Sequence, residues 1–155
     1  CEAGATVSAS ASGVALETEC IAPLELTGPD PIPVRAGMAV ALTWKAAAAS
    51  AGSLVRIKLD VSHHGGSKGE INCEVADTGA FDIPESLVTK LVGLGLAGFP
   101  TINLNRVAVG TDAKRPDVTL LLSSDVTRAV DTGVDSCLDP SECESGICLD
   151  GGTCG

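Results

Sequence analysis

A chain of 155 residues with 45% hydrophobic content has room for one sizeable core and a small appendage. A formal net charge of −10 and 2% aromatic residues argue against nucleic acid, which needs basic clusters and stacking rings, and against anionic membrane surfaces. No apolar run approaches the about 20 residues of a spanning helix.

From the N terminus, Ala5 to Ser10 has strand character, and Val14, Leu16, Thr18 and Cys20 alternate with Ala15, Glu17 and Glu19. Gly28-Pro29-Asp30-Pro31 breaks the chain. Met38, Val40, Leu42 and Trp44 then share one strand face, and Ala46 to Gly52 is a connection of small residues. Val55, Ile57, Leu59 and Val61 alternate cleanly with Arg56, Lys58, Asp60 and Ser62. A His/Gly-rich turn follows, and Ile71, Cys73 and Val75 return, which predicts a hairpin with one buried and one solvated face.

Pro84 suits the first position of a short helix bearing Leu87, Val88 and Leu91, and Gly93 and Gly95 end it. Ile102 and Leu104 resume as strand. The apolar side switches at Arg106-Val107, which predicts a bulge there. Val118, Leu120 and Leu122 form a last strong strand. The expected fold is all-β: an antiparallel immunoglobulin-like β-sandwich of about seven or eight strands with one short helix, plus a small disulfide-bonded C-terminal tail. The expected division is an N-terminal segment 1–11, a sandwich 12–130 and an acidic Cys-rich tail 131–155.

The tail carries Cys137, Cys143, Cys148 and Cys154 with spacing C-x5-C-x4-C-x5-C among acidic and turn-forming residues. Such a strip has too little apolar surface to fold unaided, so disulfides must hold it. Four-cysteine zinc sites generally use C-x2-C knuckles, which are missing. Three tail connectivities are open, with Cys137–Cys148 and Cys143–Cys154 preferred. Cys20 and Cys73, both on apolar strand faces, are the natural remaining pair.

That leaves Cys1 as the odd one of seven. A chain beginning at cysteine resembles mature bacterial lipoproteins, which implies a lipid on the Cys1 sulfur as the membrane link. A fragment boundary or a bond to another chain are the alternatives. The stretch Glu142-Cys143-Glu144-Ser145-Gly146-Ile147-Cys148 resembles short Cys-rich modules of myxobacterial-type secreted proteins and lipoproteins. The resemblance covers only the tail and implies an extracytoplasmic site: outer membrane, cell surface or periplasm. It implies no activity, and residues 12–130 resemble no family.

Candidate chemistry is sparse. Asp77-Thr78-Gly79 and Asp131-Thr132-Gly133 match the triplet that aspartic proteases pair to activate water, yet Asp-Thr-Gly is also a good turn former. His63 and His64 are adjacent, so in a strand they point to opposite faces and suit a shared metal poorly. Asp150 and the Asp112–Asp117 loop offer calcium ligands without a spaced series. Trp44, the best sugar platform, sits at a core position. The expectation is therefore a non-enzymatic envelope protein without cofactor or metal, a structural or accessory subunit whose partners are other envelope proteins. A carbohydrate- or calcium-binding adhesion module is the alternative, and an aspartic hydrolase using Asp77 a more distant one.

Overall fold

The computed structural model describes residues 1–11, 13–47, 52–62, 68–96, 99–134, 137, 139–149 and 153–155. The fold is mostly β, with several sheets and one short helix. The strands are β1 (Thr6–Ala11), β2 (Val14–Glu19), β3 (Ile32–Pro33), β4 (Val40–Thr43), β5 (Leu54–Asp60), β6 (Glu70–Ala76), β7 (Ala80–Ile83), β8 (Thr101–Asp112), β9 (Arg115–Asp131), β10 (Cys148–Leu149) and β11 (Thr153–Cys154); the helix is α1 (Glu85–Val92).

Five strands form the main sheet in the order β3-β9-β8-β5-β6. β5 lies between β8 and β6, and its alternation gives it one dry and one wet face: Val55, Ile57 and Leu59 are buried, while Arg56 and Lys58 face water. The expected β5–β6 hairpin is present, in unbroken register from Leu54↔Ala76 to Asp60↔Glu70. The sheet is mixed, because β3 runs parallel to β9, with Ile32 opposite Val130. That departs from the wholly antiparallel arrangement expected. Pro33 lacks an amide hydrogen and tolerates this edge position.

The short β4–β7 sheet and α1 cover one face of the main sheet. Val40 and Leu42 of β4, Ile83 of β7, and Val88 and Leu91 of α1 share one core with Val55, Ile57, Leu59, Ile102 and Leu104. The helix lies where Pro84 predicts it, with Pro84 O accepting from the amides of Leu87 and Val88. Leu87 falls off its apolar stripe and is exposed, as is Met38, which lies ahead of β4.

β8 and β9 make a long hairpin. The bulge expected at Arg106-Val107 does not exist: register is continuous from Thr101↔Ala129 to Thr111↔Thr119, and its shift comes only between Thr111 and Asp112. The cause is that Arg106 is itself a core residue, in phase with Ile102 and Leu104, and is 1% exposed. Beyond it, the β1–β2 hairpin takes over the cover. Val14 and Leu16 are buried, and Gly110 sits so close to the Glu17 carbonyl that a Cβ would collide with it.

Candidate functional site

Three disulfides define the covalent frame. Cys137–Cys148 and Cys143–Cys154 interleave across the tail, with Cα separations of 5.9 and 5.4 Å. β10 and β11 pair between them, with Cys148 opposite Cys154. The Asp139 side chain accepts from the Ser141 amide at 2.8 Å, and that amide holds its carboxyl below the usual carboxylate range. The sulfurs of Cys137, Cys143 and Cys154 lie within 4.8 Å of one another, close enough for a metal ion. All three are in disulfides, however, and a metal needs thiolates.

The third bond is Cys1–Cys20, Cα to Cα 6.1 Å, and Cys73 is a free thiol. This corrects two expectations. Cys20 does not pair with Cys73, because the β1–β2 ladder draws the N terminus to Cys20: Gly4 donates to Cys20 O at 2.8 Å and Cys20 donates to Ala5 O at 2.7 Å. β2 lies over β8 and β9, whereas Cys73 is on β6 at the sheet's opposite edge. Alternation identifies the face a cysteine occupies but not the strand beside it. The Cys1 sulfur, joined to Cys20, is also not available for the thioether lipid expected there. The disulfides mark an oxidising, extracytoplasmic setting. Among the described residues, no helix is long and apolar enough to cross a membrane.

The most elaborate polar constellation is buried. Arg106 Nε donates to Asp77 Oδ2 at 2.7 Å, and Nη2 donates to Asp77 Oδ1 at 3.1 Å. Trp44 Nε1 and Ser53 Oγ each donate to Asp77 at 2.8 Å. The rest of the guanidinium reaches backbone: Nη1 donates to Ala22 O and Pro23 O at 3.0 Å each, and Nη2 to Lys45 O at 2.6 Å. The Arg106 and Asp77 side chains are 1% and 3% exposed. Every guanidinium donor and every carboxylate lone-pair position is therefore engaged. Burial pushes the Asp77 carboxyl up, but the bonds from Arg106, Trp44 and Ser53 outweigh it and hold the group below its ordinary value.

This geometry separates the two Asp-Thr-Gly triplets. Asp131 ends β9 and pairs with Arg35, whose Nη2 lies 2.8 Å from its Oδ2 and whose Nη1 donates to its carbonyl. Gly133 N–H donates to Asp131 Oδ1 at 2.8 Å, a turn role. A protease dyad needs two facing carboxylates sharing a proton. Asp77 faces a guanidinium instead and has no lone pair left with which to orient water.

The other expected positions are dispersed. Trp44 is 3% exposed and belongs to the core, so it offers no sugar platform. Asp112 accepts from Lys114 N–H at 2.7 Å, and Asp117 pairs with Arg115 at 3.0 Å, so both carboxylates already face protein donors. His63, His64 and Asp150 lie outside the described residues.

The exposed face of the main sheet carries a depression of about 300 Å³ lined by Arg56, Lys58, Asn72, Glu74 and Asn103. Its charges are mutually paired: Arg56 to Glu74 at 2.9 Å and Lys58 to Glu70 at 2.6 Å. The hydrogen bond from Lys58 holds Glu70 below the usual carboxylate range. Sequence reasoning placed a bulge at Arg106 and missed its buried pairing with Asp77. The available signal was its parity, since position 106 continues the core phase of Ile102 and Leu104 and a lone charge there requires a buried counter-charge.

No family model matches this chain, and comparison with curated proteins and with solved structures gives no match.

Proposed function

We propose that this chain is a non-enzymatic protein of a bacterial envelope, a structural or accessory subunit of a surface assembly built on an immunoglobulin-like sandwich. The observation that carries this reading is the tail. Two interleaved disulfides stiffen a strip that displays Ile147 (54% exposed) and Leu149 (52%) among acidic residues. Apolar side chains fixed in water on a cross-linked strip suit contact with another protein, because their ordering entropy is already lost. The buried Asp77–Arg106 knot supports the same reading, since its groups are bound to one another and not presented to a substrate.

The test is the native state in the source envelope, by mild extraction followed by sizing and cross-linking through the tail. Co-migration with other envelope proteins, lost in Ile147→Ser/Leu149→Ser, is the expected result. Recovery as a single unassociated species would reject the proposal. A second reading, carbohydrate binding, is favoured only by the depression beside Asn72 and Asn103, and flat glycan titrations would remove it.

A further inference from the structure

β6 is the outermost strand of the main sheet, and among the described residues no strand pairs with its outer side. Natural edge strands generally avoid association by carrying charged side chains, above all lysine, or proline or a bulge. β6, Glu-Ile-Asn-Cys-Glu-Val-Ala, has no lysine, proline or bulge, and its two charges, Glu70 and Glu74, are engaged by Lys58 and Arg56 of β5. The opposite edge, β3, ends in Pro33. Beside the entrance to β6, Gly69 lies against Leu94, which is 55% exposed.

Cys73 is the middle residue of β6, half-buried, and the one free thiol among cysteines otherwise joined in pairs. An unpaired cysteine in an oxidising compartment points to an intermolecular bond. The strand is self-complementary about this position. Antiparallel pairing of two copies, with Cys73 opposite Cys73, sets Ile71 opposite Val75 on the core side. On the water side it sets Asn72 opposite Glu74 and Glu70 opposite Ala76, so an amide meets a carboxylate and no glutamate meets a glutamate. Glu70 and Glu74 are also already paired with Lys58 and Arg56 on β5.

We propose that β6 is a self-association edge: two copies of this chain join their main sheets antiparallel across a two-fold axis at Cys73, and the two Cys73 thiols are oxidised to a disulfide. Directly opposed residues of an antiparallel pair have Cα atoms about 4.5–5.5 Å apart, inside the range a disulfide spans. The oxidant is a small-molecule or protein disulfide. One Cys73 thiolate attacks it, forms a mixed disulfide and releases one thiol. The second Cys73 thiolate then attacks the Cys73 sulfur of that mixed disulfide and releases the other thiol. Two protein thiols are oxidised, and one disulfide is reduced to two thiols. Burial pushes the Cys73 thiol up, so little thiolate is present at neutral pH. The inference concerns the purified chain alone and survives failure of the envelope role.

The test is incubation of the full-length protein with oxidised glutathione, followed by non-reducing intact mass and peptide mapping. A dimer whose only new cross-link is Cys73–Cys73 is expected, with none from Cys73→Ser. Asn72→Glu is exposed and leaves the core untouched, but places two like-charged pairs across the seam. It should slow dimer formation on the order of tenfold while alkylation of Cys73 in the monomer keeps its rate. A monomer carrying only glutathione on Cys73, a cross-link to another cysteine, or wild-type dimerisation by Asn72→Glu would each overturn the proposal.

Discussion

Replacing Asp77 with asparagine keeps the shape of the side chain and removes its charge. Arg106, 1% exposed, would then hold a positive charge in the core with no counter-ion. Breaking a buried pair from one side costs about 3–5 kcal/mol, because the surviving ion cannot regain its hydration. The amide would also turn an N–H group towards one of the donors now served by Asp77, namely Arg106, Trp44 or Ser53. Domains are stable by only about 5–15 kcal/mol, so the variant should lose a large share of the total. Urea unfolding is the assay, with fluorescence of the single tryptophan, Trp44, reporting from inside the cluster. An unchanged slope against urea and a lowered midpoint would assign the loss to the native state. Adding Arg106→Met should recover at least about 2 kcal/mol of it, short of full recovery because the carbonyls of Ala22, Pro23 and Lys45 lose their donor. A cost below about 1 kcal/mol for Asp77→Asn would refute the reasoning, since it would mean the pair is hydrated or unnecessary.

The same carboxyl sets an acid response. Its folded value lies below the ordinary 3.8, so its stabilisation is complete above that value and disappears as pH falls through the lower folded value; Asp77→Asn should lack this acid-dependent component in a urea series at decreasing pH. Gly110→Ala drives a Cβ into the Glu17 carbonyl and should cost about 1–3 kcal/mol, with amide exchange accelerated first in β1 and β2. Each tail disulfide joins cysteines 11 residues apart and should contribute about 3 kcal/mol by chain entropy. Mild reduction should therefore expose residues 137–155 to proteolysis while the main sheet resists, and simultaneous loss of both would count against a separately stapled tail.

Much of the scaffold was legible along the chain. Strict alternation in Leu54–Asp60 and Glu70–Ala76 identified both strands, their buried faces and their hairpin, because a period of two leaves little choice once one face is dry. Pro84 and the glycines after Val92 bracketed the helix for equally local reasons. At Arg106 the same logic failed. Read as a surface residue, it implied a change of face and hence a bulge; in fact the strand continues and the charge is buried against Asp77, Trp44 and Ser53, partners from distant parts of the chain.

The cysteines divide along the same line. An acidic strip too polar to fold alone had to be cross-linked, and that followed from composition. The partner of Cys20 did not, because it depends on which strand the N terminus runs beside, and the β1–β2 ladder assigns that place to Cys1. Local periods and propensities act over a few residues and can be read in order. Disulfide partners, the parallel strand β3 and the Asp77–Arg106 pair join residues far apart in the chain, and only the folded topology brings them within bonding distance.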